Sequence, residues 1–332
     1  MLKIQDLSLA ISGESGSVPA VTNISLDLEP GKVLGLVGES GCGKSLTAQS
    51  ILRLGEHQGI RRTAGTIRLD GEDIFTMPEK RLRRLRGGTV SMVFQEPMTA
   101  LNPVFSIGSQ LIEVIQLHLK LGKGEARQRA IGLLGDVGLQ NAEGLLDQYP
   151  DALSGGMRQR VLIAMAMAGE PDYIIADEPT TALDVSVQKR IIGLLRYLQQ
   201  TRGLGMLLVT HDFGLVAELA DSVAVMYAGH IVEYGTVAEI FDHPAHPYTR
   251  ALMACRPEVA PRHAAFPVIA GQVPSPGQWP DGCRFASRCR WADTACKRPV
   301  AEDVWHEDTH RARCVHVERV RQASRDSKGV SA

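Results

Sequence analysis

The stretch "GESGCGKS", from Gly38 to Ser45, constrains this chain more than any other feature of its sequence. It follows the apolar run "VLGLV" at 33–37 and leads into "LTAQSILRL", which has a helical pattern. The spacing fits G-x-x-x-x-G-K-[ST] in the strand–loop–helix context that a phosphate-binding loop requires. The glycines let the backbone curl around an anion, and amide groups at the helix start point towards it. The sequence therefore predicts nucleotide binding.

Two side chains of this loop have specific expected roles. Lys44 is expected to reach the β- and γ-phosphates of ATP, and the Ser45 hydroxyl to bind Mg²⁺. The other positions offer mainly backbone amides to the phosphates. The predicted ATP-binding residues are Gly38, Glu39, Ser40, Gly41, Cys42, Gly43, Lys44, Ser45 and Leu46.

A second chemical segment is "YIIADEPTTALD" at 173–184. Asp177 ends an apolar run, where a carboxylate is costly unless a cation meets it, and Mg²⁺ is the expected partner. Glu178 comes next, so its side chain leaves the strand on the other side and is suited to polarising an attacking water. The pair predicts hydrolysis as well as binding.

The pattern of apolar runs predicts an α/β fold with a mostly parallel sheet. Short runs of the kind buried on both faces alternate with helical patterns. A rough alternation at 2–11 and the Asp70-Gly71 turn signal predict an antiparallel region near the start. The segment 98–168 reads mainly as helix and predicts an inserted helical subdomain. The apolar runs lie at 33–37, 90–94, 173–176, 206–210 and 223–227.

Composition and charge exclude several functional classes. The 332 residues carry a net charge of −1, so no overall field attracts the chain to nucleic acid or anionic lipid. The basic run at 79–88 is interpreted as a solvated face. No run approaches the roughly 18 apolar residues that span a bilayer, and the N-terminus has acids unlike a signal peptide. We therefore expect a cytoplasmic protein, which, if it serves a membrane, does so through another subunit.

The last part of the chain has a different composition. A proline- and glycine-rich stretch after Pro257 indicates a linker, and four of the six cysteines then follow in the pattern C-x5-C-x6-C-x17-C. Disulfides are not expected in a cytosolic ATPase, whereas four thiolates could hold a small segment together through a metal. Zinc sites usually show closer pairs, and the spacing alone leaves zinc and an iron–sulfur cluster open. The predicted division is 1–256, an extension at 257–320 and a disordered tail at 321–332.

Taken in order, these segments resemble the ATP-binding-cassette (ABC) ATPases over roughly residues 2–245. The segments are "GESGCGKS", Gln95, "LSGGM", "IIADEP", "TALD" and His211. The resemblance implies a P-loop NTPase cassette with an antiparallel β subdomain, an inserted helical subdomain and a small cysteine-rich C-terminal extension. It also implies that Gln95 senses the metal and the transporter interface, that Glu178 is the catalytic base and that His211 contacts the γ-phosphate.

The resemblance also explains the motif "LSGGM" at 153–157. In this family two cassettes pack head to tail, and the motif of one covers the ATP in the P-loop of the other. By this likeness Ser154, Gly155 and Gly156 hold the γ-phosphate of the partner's nucleotide, and Asp184 belongs to the loop that crosses the interface. The active unit is then a dimer with a second, homologous ATPase subunit, a homodimer being the alternative.

One feature departs from the family pattern. Its members usually carry an aromatic residue before the P-loop that stacks on adenine, but residues 2–37 contain no Phe, Tyr or Trp. An aliphatic residue such as Ile11 or Val18 is the expected substitute.

Finer likenesses point to the di- and oligopeptide importers. These are "VFQEPMTALNP", "DEPTTALDVSVQ", "HPAHPYTRAL" and the tail, which resembles those cassettes that carry a [4Fe–4S] cluster. The expected cluster ligands are Cys283, Cys289, Cys296 and Cys314, with zinc as the alternative. The implied partners are two permease subunits and, indirectly, an extracytoplasmic solute-binding protein, with the chain peripheral on the inner face of the cell membrane. The alternatives are an importer of nickel, glutathione or another small solute, and a non-transport ABC ATPase.

Overall fold

The structure is a computed structural model that describes residues 1–13, 16–95, 100–181, 183–255, 268–301 and 304–329. The chain forms two compact units. Unit 1 comprises Met1–Asp27, Leu34–Phe75 and Thr210–Ala332, and unit 2 comprises Leu28–Val33 and Thr76–Val209. The cysteine-bearing extension is thus part of the unit that holds "GESGCGKS", and it does not form a compact unit of its own.

An antiparallel sheet occupies the start of unit 1, as the sequence predicts. Its strand order is β2-β1-β4-β5. Asp70 and Gly71, with φ of 50° and 88°, turn the chain between the last two strands. The strands are β1 (Leu2–Gly13), β2 (Gly16–Leu28), β4 (Ile60–Leu69) and β5 (Glu72–Asp73).

The second group of strands in unit 1 is mixed, in the order β11-β12-β10-β9-β3. The apolar strands β3 (Val33–Val37) and β9 (Ser222–Tyr227) pair in parallel, and β10 (His230–Thr236) continues antiparallel to β9. The extension adds β11 (Trp305–Glu307) and β12 (His310–Ala312) to the free side of β10. The helices of this unit are α1 (Lys44–Ile51), α8 (Phe213–Leu219), α9 (Val237–Asp242), α10 (Pro247–Ala254) and α11 (Val317–Gly329).

Unit 2 contains three parallel strands in the order β6-β7-β8, at Val90–Val93, Tyr173–Asp177 and Gly205–Thr210. Their residues are buried along the whole length, which explains the continuous apolar runs in the sequence. The helix α7 (Val185–Arg202) buries Ile191, Leu195 and Leu198, whose spacing places them on one face. The basic run forms α2 (Glu79–Leu85), whose arginines are largely exposed.

Helices fill the segment between β6 and β7, within the range 98–168 that the sequence predicts to be helical. Gln110 is buried in this group. Its side-chain oxygen accepts a hydrogen bond from the Asn102 amide, and its side-chain nitrogen donates one to the Asn102 carbonyl. Residues 96–99, which belong to the predicted insertion and to "VFQEPMTALNP", lie outside the described residues. The helices are α3 (Ile107–Leu119), α4 (Lys123–Asp136), α5 (Ala142–Leu145) and α6 (Gly155–Met167).

The end of the chain is more regular than its composition suggests. Helix α11 runs through much of the segment 321–332, for which the sequence predicts disorder. Val320 is fully buried, and the Arg250 guanidinium donates hydrogen bonds to the carbonyls of Val320 and Ala323. These contacts come from a distant helix, so composition could not reveal them. The first part of the predicted linker, 256–267, and the last residues, 330–332, lie outside the described residues.

Candidate nucleotide site and cysteine group

The loop Gly38–Ser45 connects β3 to α1, and its shape depends on glycine at two positions. A Cβ on Gly38 would lie 2.1 Å from the Met226 carbonyl oxygen, so the loop can approach β9 only because this residue lacks a side chain. Gly43, with φ of 109°, precedes the first residue of α1, and a Cβ there would lie 2.7 Å from the Met226 methyl group. The backbone is therefore free to present its amides at the start of the helix.

Lys44 is held inside this loop. Its side chain is 5% exposed, and its ammonium donates hydrogen bonds to the carbonyls of Gly38 at 2.8 Å and Glu39 at 3.0 Å. Phosphate oxygens are stronger acceptors for an ammonium than neutral carbonyls. The loop thus holds a buried cation that a polyphosphate can recruit. Ser45 and Leu46 follow in the first turn of α1, where both are half-buried.

The two acidic residues at the end of β7 have different surroundings. Asp177 is the last residue of the strand and is 3% exposed. Glu178 has a φ of 48°, its amide donates to the Val209 carbonyl at 2.8 Å, and its carboxylate accepts from the Thr181 hydroxyl at 2.6 Å. This left-handed conformation is uncommon for a residue other than glycine and ends the strand abruptly. Strand β7 thus ends at Asp177, and Glu178 is the first residue beyond it.

The motif "LSGGM" begins helix α6. Ser154 caps the helix, and its side chain accepts a bond from the Met157 amide at 3.4 Å. Ser154 and Gly155 are exposed, so the amides at this helix start are accessible to an anion.

Unit 2 brings this helix start close to the loop that contains Asp184. Asp184 caps α7, accepts bonds from the Val187 amide and the Ser186 hydroxyl, and these bonds lower the pKa of its carboxyl. Gly156 lies directly against Val187, because a Cβ on Gly156 would fall 2.8 Å from a Val187 methyl carbon. The segments that the sequence assigns to the partner's ATP are therefore neighbours. Ala182, within "TALD", lies outside the described residues.

Gln95 and His211 each follow a strand, as predicted. Gln95 lies just beyond β6 and is exposed. His211 lies just beyond β8 and is exposed, and the next residue, Asp212, caps α8 by accepting bonds from two amides. Both side chains are accessible to a ligand.

The two aliphatic candidates for adenine stacking lie on the antiparallel sheet. Ile11 pairs with Ile60 on β4 and is half-buried. Val18, on β2, has a methyl carbon 3.0 Å from the position of a Cβ on Gly277, so the extension approaches this part of β2.

The four cysteines of the extension lie together. Cys289 directly follows one short 3-10 turn and Cys296 lies in the next, and the Cys283 amide donates to the Cys296 carbonyl at 2.8 Å. Cys314 follows β12 by two residues. Burial and the neighbouring thiols raise the pKa of Cys283 to about 11, and the same causes raise the pKa of Cys314 to about 12. Burial also raises the pKa of Cys289. The structure thus groups the four residues that the sequence singles out.

Sequence reasoning missed two further donors beside this group. Among the described residues, Asp293, Cys296 and His316 place their side-chain donor atoms within 4.8 Å of one another. His316 Nε2 lies 3.0 Å from an Asp293 carboxylate oxygen, and the His316 amide donates to Cys314 Sγ at 3.3 Å. The histidine in "RCVH", two residues after Cys314, was the available signal.

Comparison with known proteins identifies the family. A family model described as "ABC transporter" matches residues 21–181, and one described as "Oligopeptide/dipeptide transporter, C-terminal region" matches 232–296. The probable D,D-dipeptide transport ATP-binding protein DdpD of Escherichia coli is 45% identical over 314 residues, which cover 95% of this chain and 96% of that protein. The chain belongs to the ABC transporter family.

Other relatives of this ABC transporter chain carry related names. The oligopeptide transport ATP-binding protein AppD of Bacillus subtilis is 43% identical over 314 residues, covering 95% of this chain and 96% of that protein. A putative peptide import ATP-binding protein of Brucella abortus is 47% identical over 299 residues, covering 90% of each.

Solved structures support the same ABC fold. The ATP-binding cassette MJ0796, a dimer in a post-hydrolysis state bound to ADP and Pi, superposes with a TM-score of 0.64 at 26% identity. The match covers 71% of this chain and 99% of that one. The predicted cassette fold and ATPase class are therefore confirmed. None of the helices described here has the length and apolar character needed to cross a membrane.

Proposed function

We propose that this ABC ATPase powers the import of di- or oligopeptides through separate permease subunits. The observation that carries the proposal is the match of residues 232–296 to the C-terminal region of oligopeptide and dipeptide transporters. This region lies outside the segment 21–181 that matches the general ABC transporter model. The relatives named for dipeptide or oligopeptide transport match this chain over nearly its full length. We also propose that residues 1–256 form the ATPase domain and residues 257–320 the C-terminal extension.

Within the nucleotide site, the proposed roles follow the family resemblance and the chemistry of each residue. Lys44 binds the β- and γ-phosphates, and the amides of the loop bind the remaining phosphate oxygens. Ser45, Gln95 and Asp177 would supply oxygen ligands to Mg²⁺, and the bound ion would neutralise charge that develops on the phosphates.

Glu178 is the proposed general base. Its carboxylate accepts a hydrogen bond from Thr181 in this structure, and it can accept one from a water in the same way. His211, exposed beyond β8, contacts the γ-phosphate and holds its orientation for the attack.

The helix start at Ser154 and the loop at Asp184 serve the partner's nucleotide in this proposal. They are adjacent and exposed in unit 2, which suits a surface that receives a phosphate from outside the chain. Each chain carries one P-loop and one "LSGGM", so two chains complete two sites. A homologous second ATPase subunit is the proposed partner.

The cysteine group is proposed to hold a [4Fe–4S] cluster. The support is the resemblance of the tail to cassettes that carry such a cluster, together with cysteine spacings wider than the close pairs usual in zinc sites. In a [4Fe–4S] cluster each thiolate binds a different iron. The cluster would link the loops of a segment that has little core of its own.

Transport by the assembled complex tests the proposal. The chain would be purified with its membrane partners, reconstituted in vesicles, and supplied with labelled dipeptides, oligopeptides, glutathione or nickel. Peptide uptake that depends on ATP supports the proposal, and a Lys44→Ala complex provides the inactive control. Uptake of nickel or glutathione alone would favour the small-solute importers, and ATP hydrolysis without any permease partner would favour a non-transport role.

A further inference from the structure

An arginine of the extension contacts the phosphate-binding loop. The guanidinium of Arg288 meets the carboxylate of Glu39 through two bonds, with Nη1 to Oε1 and Nη2 to Oε2 both at 3.0 Å. The Arg288 side chain is only 3% exposed. A bidentate pair of this kind fixes direction as well as distance, unlike a single ionic contact at the surface.

The other donors of Arg288 are also engaged. Nε donates to the Ala270 carbonyl at 2.9 Å, Nη2 to the Ile269 carbonyl at 3.1 Å, and Nη1 approaches the Tyr227 hydroxyl at 3.4 Å. Tyr227 is the last residue of β9, the strand that pairs with β3. The guanidinium is therefore fixed both to the extension and to the end of the sheet.

Glu39 is held at each of its polar groups. Its amide donates to the Tyr248 hydroxyl at 2.8 Å, its carboxylate binds Arg288, and its carbonyl accepts from the Lys44 ammonium at 3.0 Å. The position of Glu39 thus determines where one of the acceptors of Lys44 lies. A shift of Glu39 would shift the cation that the phosphates recruit.

We propose that Arg288 is a positioning residue for the nucleotide site, which acts through Glu39 and holds the first half of the loop in its phosphate-accepting shape. The inference rests on the proposed use of this loop for ATP. It also gives the extension a role in the cassette, because Arg288 directly precedes Cys289 and the cysteine group anchors the segment that carries it.

The expected effect lies in binding and leaves the chemical step intact. Arg288→Ala should weaken the affinity of the full-length chain for MgADP about tenfold, since the coupling between residues in direct contact is on this scale. In the assembled complex the KM for ATP should rise by a similar factor, and kcat should stay within about twofold. A role limited to folding would instead lower the active fraction, and therefore kcat, at unchanged KM.

Matched variants make the test specific. Arg290, two residues further on, is exposed and stacks on Trp291 at 3.9 Å, so Arg290→Ala should bind MgADP as the original chain does. Glu39→Gln should reproduce the loss, and the double variant Arg288→Ala/Glu39→Gln should be no weaker than either single variant. If Arg288→Ala does not fold, Glu39→Gln, which leaves Arg288 in place, carries the test.

Isothermal titration with MgADP distinguishes the outcomes. Weaker binding by both single variants without additivity supports the proposal. Unchanged binding by Glu39→Gln and Arg288→Ala, or fully additive losses, would overturn it. If the original chain itself fails to bind MgADP, the proposed function fails first, so the two failures can be told apart.

Discussion

Gly156 of helix α6 lies so close to Val187 of helix α7 that a Cβ on the glycine would fall 2.8 Å from a methyl carbon of the valine. This contact fixes the start of α6, which lies within "LSGGM", relative to the start of α7, which Asp184 caps. Both segments are proposed to meet the partner's ATP, so their relative position affects hydrolysis in the dimer.

We therefore predict that Gly156→Ala lowers ATP turnover of the assembled transporter by roughly a hundredfold, because a displacement of about 1 Å can cost that much. The isolated chain should bind MgATP with unchanged affinity, since the proposal assigns Gly156 to the partner's nucleotide. Turnover of the complex and titration of the isolated chain measure the two effects. The double variant Gly156→Ala/Val187→Ala restores the space and should recover much of the turnover. Failure of that rescue would contradict the packing argument.

Glu178→Gln should retain ATP binding and lose hydrolysis by roughly a hundredfold to ten-thousandfold, the range that a general base contributes. The amide preserves the size of the side chain but cannot accept a proton from water. Phosphate release by the assembled complex measures the effect. Glu143→Gln is a suitable control because Glu143 is exposed in an ion pair with Arg127. Equal turnover of the Glu178 variant and the original complex would remove Glu178 from its role.

Stability should fall on acidification because of His246, which is 1% exposed. Burial, with a smaller contribution from Arg313, lowers the pKa of His246 from 6.5 to about 3. Between these values the unfolded chain binds a proton that the folded chain does not, so the free energy of unfolding decreases as pH falls below 6.5. The expected loss between pH 6.5 and 5 is about 2 kcal/mol.

Denaturant unfolding at several pH values measures this dependence. His246 caps helix α10 by accepting a bond from the Tyr248 amide at 3.1 Å, and asparagine can also serve as a cap. His246→Asn should therefore reduce the pH dependence by roughly half, because burial also lowers the pKa of His230, to about 2, and His230 contributes a slope of the same sign. His306→Asn, at an exposed position on β11, should leave the dependence unchanged. An undiminished slope in the His246 variant would assign the dependence to other groups.

If the cysteine group holds a [4Fe–4S] cluster, we predict brown protein after anaerobic purification, with iron and sulfide each at about four per chain. Cys289→Ser should lose the colour and most of the iron. Cys255→Ser should keep both, because Cys255 lies on the last turn of α10 and outside the group. Colourless protein with stoichiometric zinc would instead establish the alternative metal.

Local motifs allowed much of this structure to be predicted from sequence. The P-loop and each of the five apolar runs are continuous segments of the chain, so the sequence shows where the strands lie and that a strand, a loop and a helix surround the P-loop. The structure confirms this arrangement. The apolar run at 90–94 predicts a strand one residue too long, since β6 ends at Val93 and Phe94 is exposed. Sequence alone does not distinguish an apolar residue just after a strand from one within it.

Contacts between distant residues could not be predicted in the same way. Arg288 and Glu39 are 249 positions apart, and neither has a local pattern that names the other. The order of α11 similarly depends on Arg250 and on burial of Val320. The extension reads as separate in composition, yet β12 pairs with β10 and joins it to unit 1.

The claim that two chains share each ATP is tested most directly with Ser154→Arg. Ser154 is exposed at the helix start, and the family resemblance assigns it to the partner's nucleotide, so a bulky cation there should obstruct that nucleotide. The decisive measurement is MgATP titration of the isolated Ser154→Arg chain, set beside ATP turnover of the assembled complex. We predict that the isolated variant chain binds MgATP with unchanged affinity and that the assembled complex loses ATP turnover. Lost affinity in the isolated chain, or full turnover in the complex, would contradict it.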